Sequence, residues 1–123
     1  MLPLILKAYC KLIEFDLYLL RGDFSALRRK VRHCNVKKRP LAADPARICS
    51  AVDMACVWYW KRALCLQRSA TIACLLRQHG IGAQMVIGVQ HTPFRAHAWV
   101  ESEEGIVGAG SDFARSCAVM DRF

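Results

Sequence analysis

At 123 residues the chain has the size of one domain, enough for one core and one cleft but not for a catalytic domain plus a separate recognition domain. A hydrophobic share of 54% with 23% charged residues excludes a disordered chain and leaves apolar surface for a partner or a membrane, while the net charge of +8 would suit nucleic acid, anionic lipid or an acidic peptide without choosing among them. Seven cysteines, an odd number with no Cys-x-x-Cys pair and no secretory signal, argue against a disulfide framework and a structural zinc site; they favour a reducing cytoplasm with mostly buried thiols.

Residues 2 to 20 are rich in Leu, Ile and Tyr, but Lys7, Lys11, Glu14 and Asp16 interrupt any run long enough to cross a bilayer. They read as an amphipathic helix, and charges inside the apolar run with no small-residue cleavage site after it speak against a signal peptide. Gly22 is expected to stop this helix and Asp23 to cap a short basic one from Phe24 to about Arg32. Basic residues crowd from Arg28 to Arg39, which reads as a solvated helix end and linker before it reads as a binding patch. With no aromatic residue interleaved after Phe24, single-stranded nucleic acid is disfavoured.

Asn35 to Ala43 is a polar connector. Asp44-Pro45 then supplies a capping carboxylate and a proline at the first helical position, where its missing N–H costs nothing. Ile48, Val52, Ala55 and Tyr59 repeat at the spacing of one buried helix face, with Cys49, Cys56 and Trp60 beside it as further core packing. After Lys61 to Leu64, a central helix runs from Cys65 to about His79, with a narrow polar stripe of Gln67, Thr71, Cys74 and Gln78 and apolar residues over most of the rest. Gly80 stops it. Gln84 to Gln90 has the β-branched content of a central strand, His91 to Phe94 forms a turn, and Arg95 to Glu101 is a second strand. Alternation puts Arg95, His97, Trp99 and Glu101 on one face and Ala96, Ala98 and Val100 on the other. A hairpin loop at Ser102 to Gly105 leads to a strand beginning at Ile106-Val107, which Gly108 to Gly110 loosens; Phe113 to Phe123 is weakly patterned.

Chemistry concentrates between Cys65 and Val100. A cysteine opening a buried helix feels the positive end of the helix dipole and, here, the preceding Lys61 and Arg62, all of which favour thiolate. His97, flanked by alanines that admit another element closely, is the candidate base: it would take the thiol proton and return it to the departing amine. A third group should fix the imidazole tautomer, and the candidates are Asp112, just past the last strand, and Glu101, two pleats away on the face of His97; Asp112 is preferred. The backbone N–H of Cys65 is the expected oxyanion donor, with Gln67 a weak second. Arg68 and Ser69 are expected to tie the helix start to the sheet. The other six cysteines need only structural reasons, and neither a cofactor nor a metal is required.

Cys65-Leu-Gln-Arg-Ser69, the segment Leu75 to Ile81, the strand Val86-Ile87-Gly88-Val89, and Pro93 to Glu101 together resemble the lasso-peptide leader peptidases, a branch of the transglutaminase-like cysteine-protease superfamily. The likeness is dense from about Ala63 to Val107. It implies an α+β, papain/transglutaminase-like fold in which N-terminal helices and a Cys-bearing helix pack on a small antiparallel sheet. Residues 1–123 then form a single domain, with 1–44 a helical extension and linker and 45–123 the catalytic core. The implied activity is a cysteine peptidase, in the cytoplasm, that removes the leader from a ribosomally made precursor peptide. Implied partners are the precursor, a stand-alone leader-binding protein and an asparagine-synthetase-like cyclase. The basic surface and first helix are expected to contact the leader-binding protein, the cyclase or the membrane face, in no set order. The chain departs from the family pattern where Gly108-Ala109-Gly110 precedes Asp112, which keeps open a non-catalytic scaffold with a decayed triad; a second alternative is a related acyltransferase that passes the thioester to an amine.

Overall fold

The structure is a computed structural model that describes residues 2–34, 45–61, 65–91, 94–102, 105–107 and 117–123. The chain turns back first at Gly22, whose φ of 67° suits glycine. There the N–H of Asp23 bonds the carbonyl of Tyr18 and that of Gly22 bonds Leu19, closing the end of α1 (Leu2–Leu20). The Asp23 side chain then accepts from the N–H of Ala26 and starts α2 (Phe24–Arg32), as its sequence position predicts. In α3 (Pro45–Trp58) the expected face is the buried one: Ile48, Val52 and Ala55 are sealed, and Tyr59 is buried just beyond the helix.

The centre of the core is α4 (Cys65–Gln78), which packs against α1 and α3 on one side and against the sheet on the other. That burial on several sides explains its composition. Its polar stripe does not face solvent, however: Gln67, Thr71 and Cys74 are all buried. Neutral polar groups survive there because each finds a partner; Gln67 Nε2 donates to the carbonyl of Leu12, and Thr71 donates to the carbonyl of Gln67 one turn earlier. Leu12, Phe15, Ile48, Ile72, Leu75, Leu76 and Met85 fill the space between, each contributing about 1.5–3 kcal/mol of burial.

Gly80, at φ 82°, ends α4 and turns the chain into β1 (Ala83–His91). This strand pairs antiparallel with β2 (Phe94–Ser102), which pairs with β3 (Gly105–Val107). On its other side β1 pairs with β4 (Ala118–Arg122), so the order is β3-β2-β1-β4, and β1 is an inner strand as its composition predicts. The fold is thus α+β, with helices packed on a small antiparallel sheet.

Three expectations need correcting. The tail that lacks a pattern holds β4, an exposed strand whose side chains need not alternate. It continues into Phe123, which exchanges backbone hydrogen bonds with Met85 and is buried edge-on against Phe24, with Arg28 above its ring. Trp60 is 70% exposed rather than core; it lies beyond the end of α3, with the Lys61 ammonium, paired with buried Asp16, against its ring. The thiols are not mostly buried either: Cys49 and Cys74 are, Cys34, Cys56 and Cys117 are half-buried, and Cys10 and Cys65 are exposed.

Candidate active site

Cys65 is the first residue of α4 and is exposed. The first backbone N–H groups of a helix have no partner inside it, so they point outward with the positive end of the dipole beside this sulfur. Burial of the next turns holds the helix mouth in place, since Gln67 is bonded to α1 and Ser69 is sealed. Arg68 Nε donates to Asp53 on α3 at 2.8 Å, so it ties the helix start to α3 rather than to the sheet. The other residues expected to serve this corner are Gln67 and the two cations before Cys65. Gln67 is spent on the Leu12 carbonyl and offers nothing to an oxyanion. Lys61 is committed to Asp16 at 2.9 Å, and Arg62 lies outside the described residues.

Asp16 is the polar residue the sequence reading missed, counted there only as a charge within an amphipathic helix. It is buried and accepts from the Tyr59 hydroxyl at 2.7 Å as well as from Lys61. Burial works against its ionisation, but the two donors outweigh it and leave the carboxyl below its usual value. Burial, with the neighbouring carboxylate, pushes Tyr59 up to about 12, so the phenol stays a donor. A tyrosine and a lysine bracketing the end of one helix, opposite an aspartate in an apolar run, were the available signal.

His97 lies on β2, half-buried, across from Gly88 of β1. Its ring stacks on Trp99 with centroids 6.2 Å apart and planes at 25°. The indole extends over Gly88, where an added Cβ would come within 2.5 Å of it, so only glycine leaves the tryptophan room. Trp99 packs with Val86, Ile106 and Cys117, while Ala98 and Val100 join the core shared with the helices. The predicted alternation of β2 therefore holds. Glu101 accepts from the Trp99 indole N–H at 3.1 Å and is paired with Arg122, so this alternative orienting carboxylate is already engaged. Asp112 lies outside the described residues.

Burial, followed by the charge of Arg68, holds the His97 imidazole below its ordinary value, so it rests neutral and able to accept a proton. Arg68 stands three residues after Cys65, one turn along, so the first turn of α4 lies within electrostatic reach of the ring. Arg77 Nε donates to the Ala83 carbonyl at 2.8 Å, which pins the far end of α4 to the start of β1. Since β3 pairs only with Val100 to Ser102, no described strand flanks β2 at His97.

Among the described residues no three His, Cys, Asp or Glu side chains converge to hold a metal ion, and no helix is long and apolar enough to cross a membrane. A protein-family model described as the Transglutaminase-like superfamily matches residues 11–120. No curated protein and no solved structure matches the chain.

Proposed function

The chain belongs to the transglutaminase-like superfamily, and from that premise we propose that it is a cysteine peptidase that cleaves the leader from a lasso-peptide precursor. One observation carries the reading: an exposed cysteine opens the buried central helix, which packs on the strand bearing a histidine kept neutral by burial. In this mechanism His97 takes the Cys65 proton as the sulfur attacks the scissile carbonyl. The oxyanion that forms sits at the mouth of α4, where the Cys65 N–H is free of an intrahelical partner. Collapse of the tetrahedral adduct breaks the C–N bond, His97 returns the proton to the leaving amine, and water then hydrolyses the thioester. Asp112 is the proposed orienting residue for the imidazole.

Exposed apolar side chains support a role within an assembly. Leu2, Leu6, Ile13, Leu17 and Leu20 form an outward stripe on α1, and Met54, Val57, Trp58 and Trp60 cluster at the end of α3. The leader-binding protein and the cyclase are the proposed partners, with peripheral membrane contact as the remaining use of the first helix, and the cytoplasm is the proposed compartment.

The test is to incubate the purified protein with precursor and leader-binding protein and weigh the products. Leader and core fragments from the wild type, absent with Cys65→Ala and His97→Ala, are the expected result. An amine conjugate in place of two fragments would make the protein an acyltransferase. Uncut precursor held in a stable complex would make it a scaffold, and cleavage that persists in Cys65→Ala would end the peptidase reading.

A further inference from the structure

Nine residues along α4 from Cys65, and outside the proposed chemistry, a second sulfur site stands in the fold. Cys74 is fully buried in mid-helix, and its sulfur lies 2.8 Å from that of Cys34, just past the end of α2. Both are free thiols. A disulfide needs about 2.05 Å, so the two sulfurs are less than about 1 Å from bonding distance. Their exposures differ: Cys74 is sealed, whereas half-buried Cys34 lines an open groove of about 480 Å³ shared with Arg32, Arg77 and Arg122.

We propose that Cys34 and Cys74 form a hydroperoxide-reactive pair, in which Cys34 is oxidised from the groove and Cys74 resolves it to a disulfide joining α2 to α4. The electrostatics assign the roles. The hydrogen bond from Cys74 favours the Cys34 thiolate against the cost of burial, and Lys11, Lys30 and Arg77 add to it, so Cys34 sits well below an ordinary thiol. The same contact, then burial, holds Cys74 protonated. Arg77 also donates to the Val31 and Cys34 carbonyls, which fixes the chain at the Cys34 end of α2.

In the first step the Cys34 thiolate attacks one peroxide oxygen, and the O–O bond breaks. That oxygen stays on sulfur as sulfenic acid, and the departing hydroxide takes up a proton to become water. In the second, Cys74 attacks the Cys34 sulfur, the S–O bond breaks, and the hydroxide leaves with the Cys74 proton as a second water. Two thiols lose two electrons and one hydroperoxide is reduced to two waters or, for an organic peroxide, to water and an alcohol.

The experiment uses the full chain carrying Cys65→Ser, so that the proposed peptidase nucleophile cannot react and the outcome is independent of the peptidase reading. The reduced protein is pulsed with hydrogen peroxide, remaining thiols are alkylated, and non-reduced peptides are mapped by mass spectrometry. A Cys34–Cys74 linked peptide, lighter by two hydrogens and restored by dithiothreitol, is expected to accumulate at least about threefold faster than oxidation of exposed Cys10. With Cys74→Ala, Cys34 should stop at a sulfenic acid that dimedone traps. Oxidation of Cys34 in the Cys65→Ser chain without the link, or Cys34 reacting no faster than Cys10, overturns the proposal.

Discussion

Gly88→Ala tests how tightly the histidine is held. A Cβ at this position meets the Trp99 ring at 2.5 and 2.8 Å, closer than side-chain carbons approach one another, and the Cys117 Cβ at a tight 3.1 Å. The indole cannot yield cheaply, because Trp99 is buried against Val86, bonded to Glu101 and stacked on His97. Overpacking of this kind costs about 1–3 kcal/mol. For a domain of this size that lowers the thermal midpoint by roughly 4–12 °C. The distinguishing consequence is catalytic: a tryptophan pushed aside takes the imidazole with it, so peptide cleavage at a temperature where the variant is folded should fall by about tenfold or more. Adding Trp99→Phe, a smaller ring, should recover part of the lost stability. The assay pairs thermal melting with a cleavage rate; a Gly88→Ala protein that melts and cleaves like the wild type refutes the reasoning.

Three other outcomes follow from the geometry. Removing the Arg68 charge with Arg68→Gln should let the His97 pKa rise part of the way to its ordinary value, burial being the larger cause; the acid limb of kcat/KM then moves to higher pH, and an unmoved limb contradicts the placement of Arg68 near the ring. Because the Asp16 carboxyl is held below its usual value, its contribution should be complete above about pH 4 and vanish as pH falls through the lower folded value, so the difference in urea midpoint between wild type and Asp16→Asn should shrink only in acid. Arg77→Leu strips a buried guanidinium from the Ala83, Val31 and Cys34 carbonyls and should cost about 3 kcal/mol in denaturant unfolding, measured against a Gln78→Ala control.

Where function follows from local rules, the sequence was readable. The Asp23 cap, the Gly22 and Gly80 stops and the Ile48, Val52, Ala55 face of α3 are decided within a few residues of themselves, and the structure has them where spacing puts them. So is the place of Cys65 at the mouth of α4 and of His97 on an alternating strand. What the sequence does not show depends on partners distant along it. Lys61 belongs to Asp16, Gln67 to the Leu12 carbonyl, and Asp121 of β4 to Arg28, whose Nε donates to it at 2.6 Å across 93 residues. No periodicity encodes such pairs. The surroundings of the α4 polar stripe are unreadable for a related reason: Gln, Thr and Cys are equally at home on a wet face and in an interior that satisfies them.

The proposed pairing of Cys65 with His97 can be tested without any substrate. The rate at which iodoacetamide alkylates Cys65 at neutral pH, resolved by peptide mapping, should exceed that of exposed Cys10 and fall by about tenfold or more in His97→Gln. A Cys65 that reacts like Cys10 in the wild type, and at the same rate once the imidazole is gone, contradicts it.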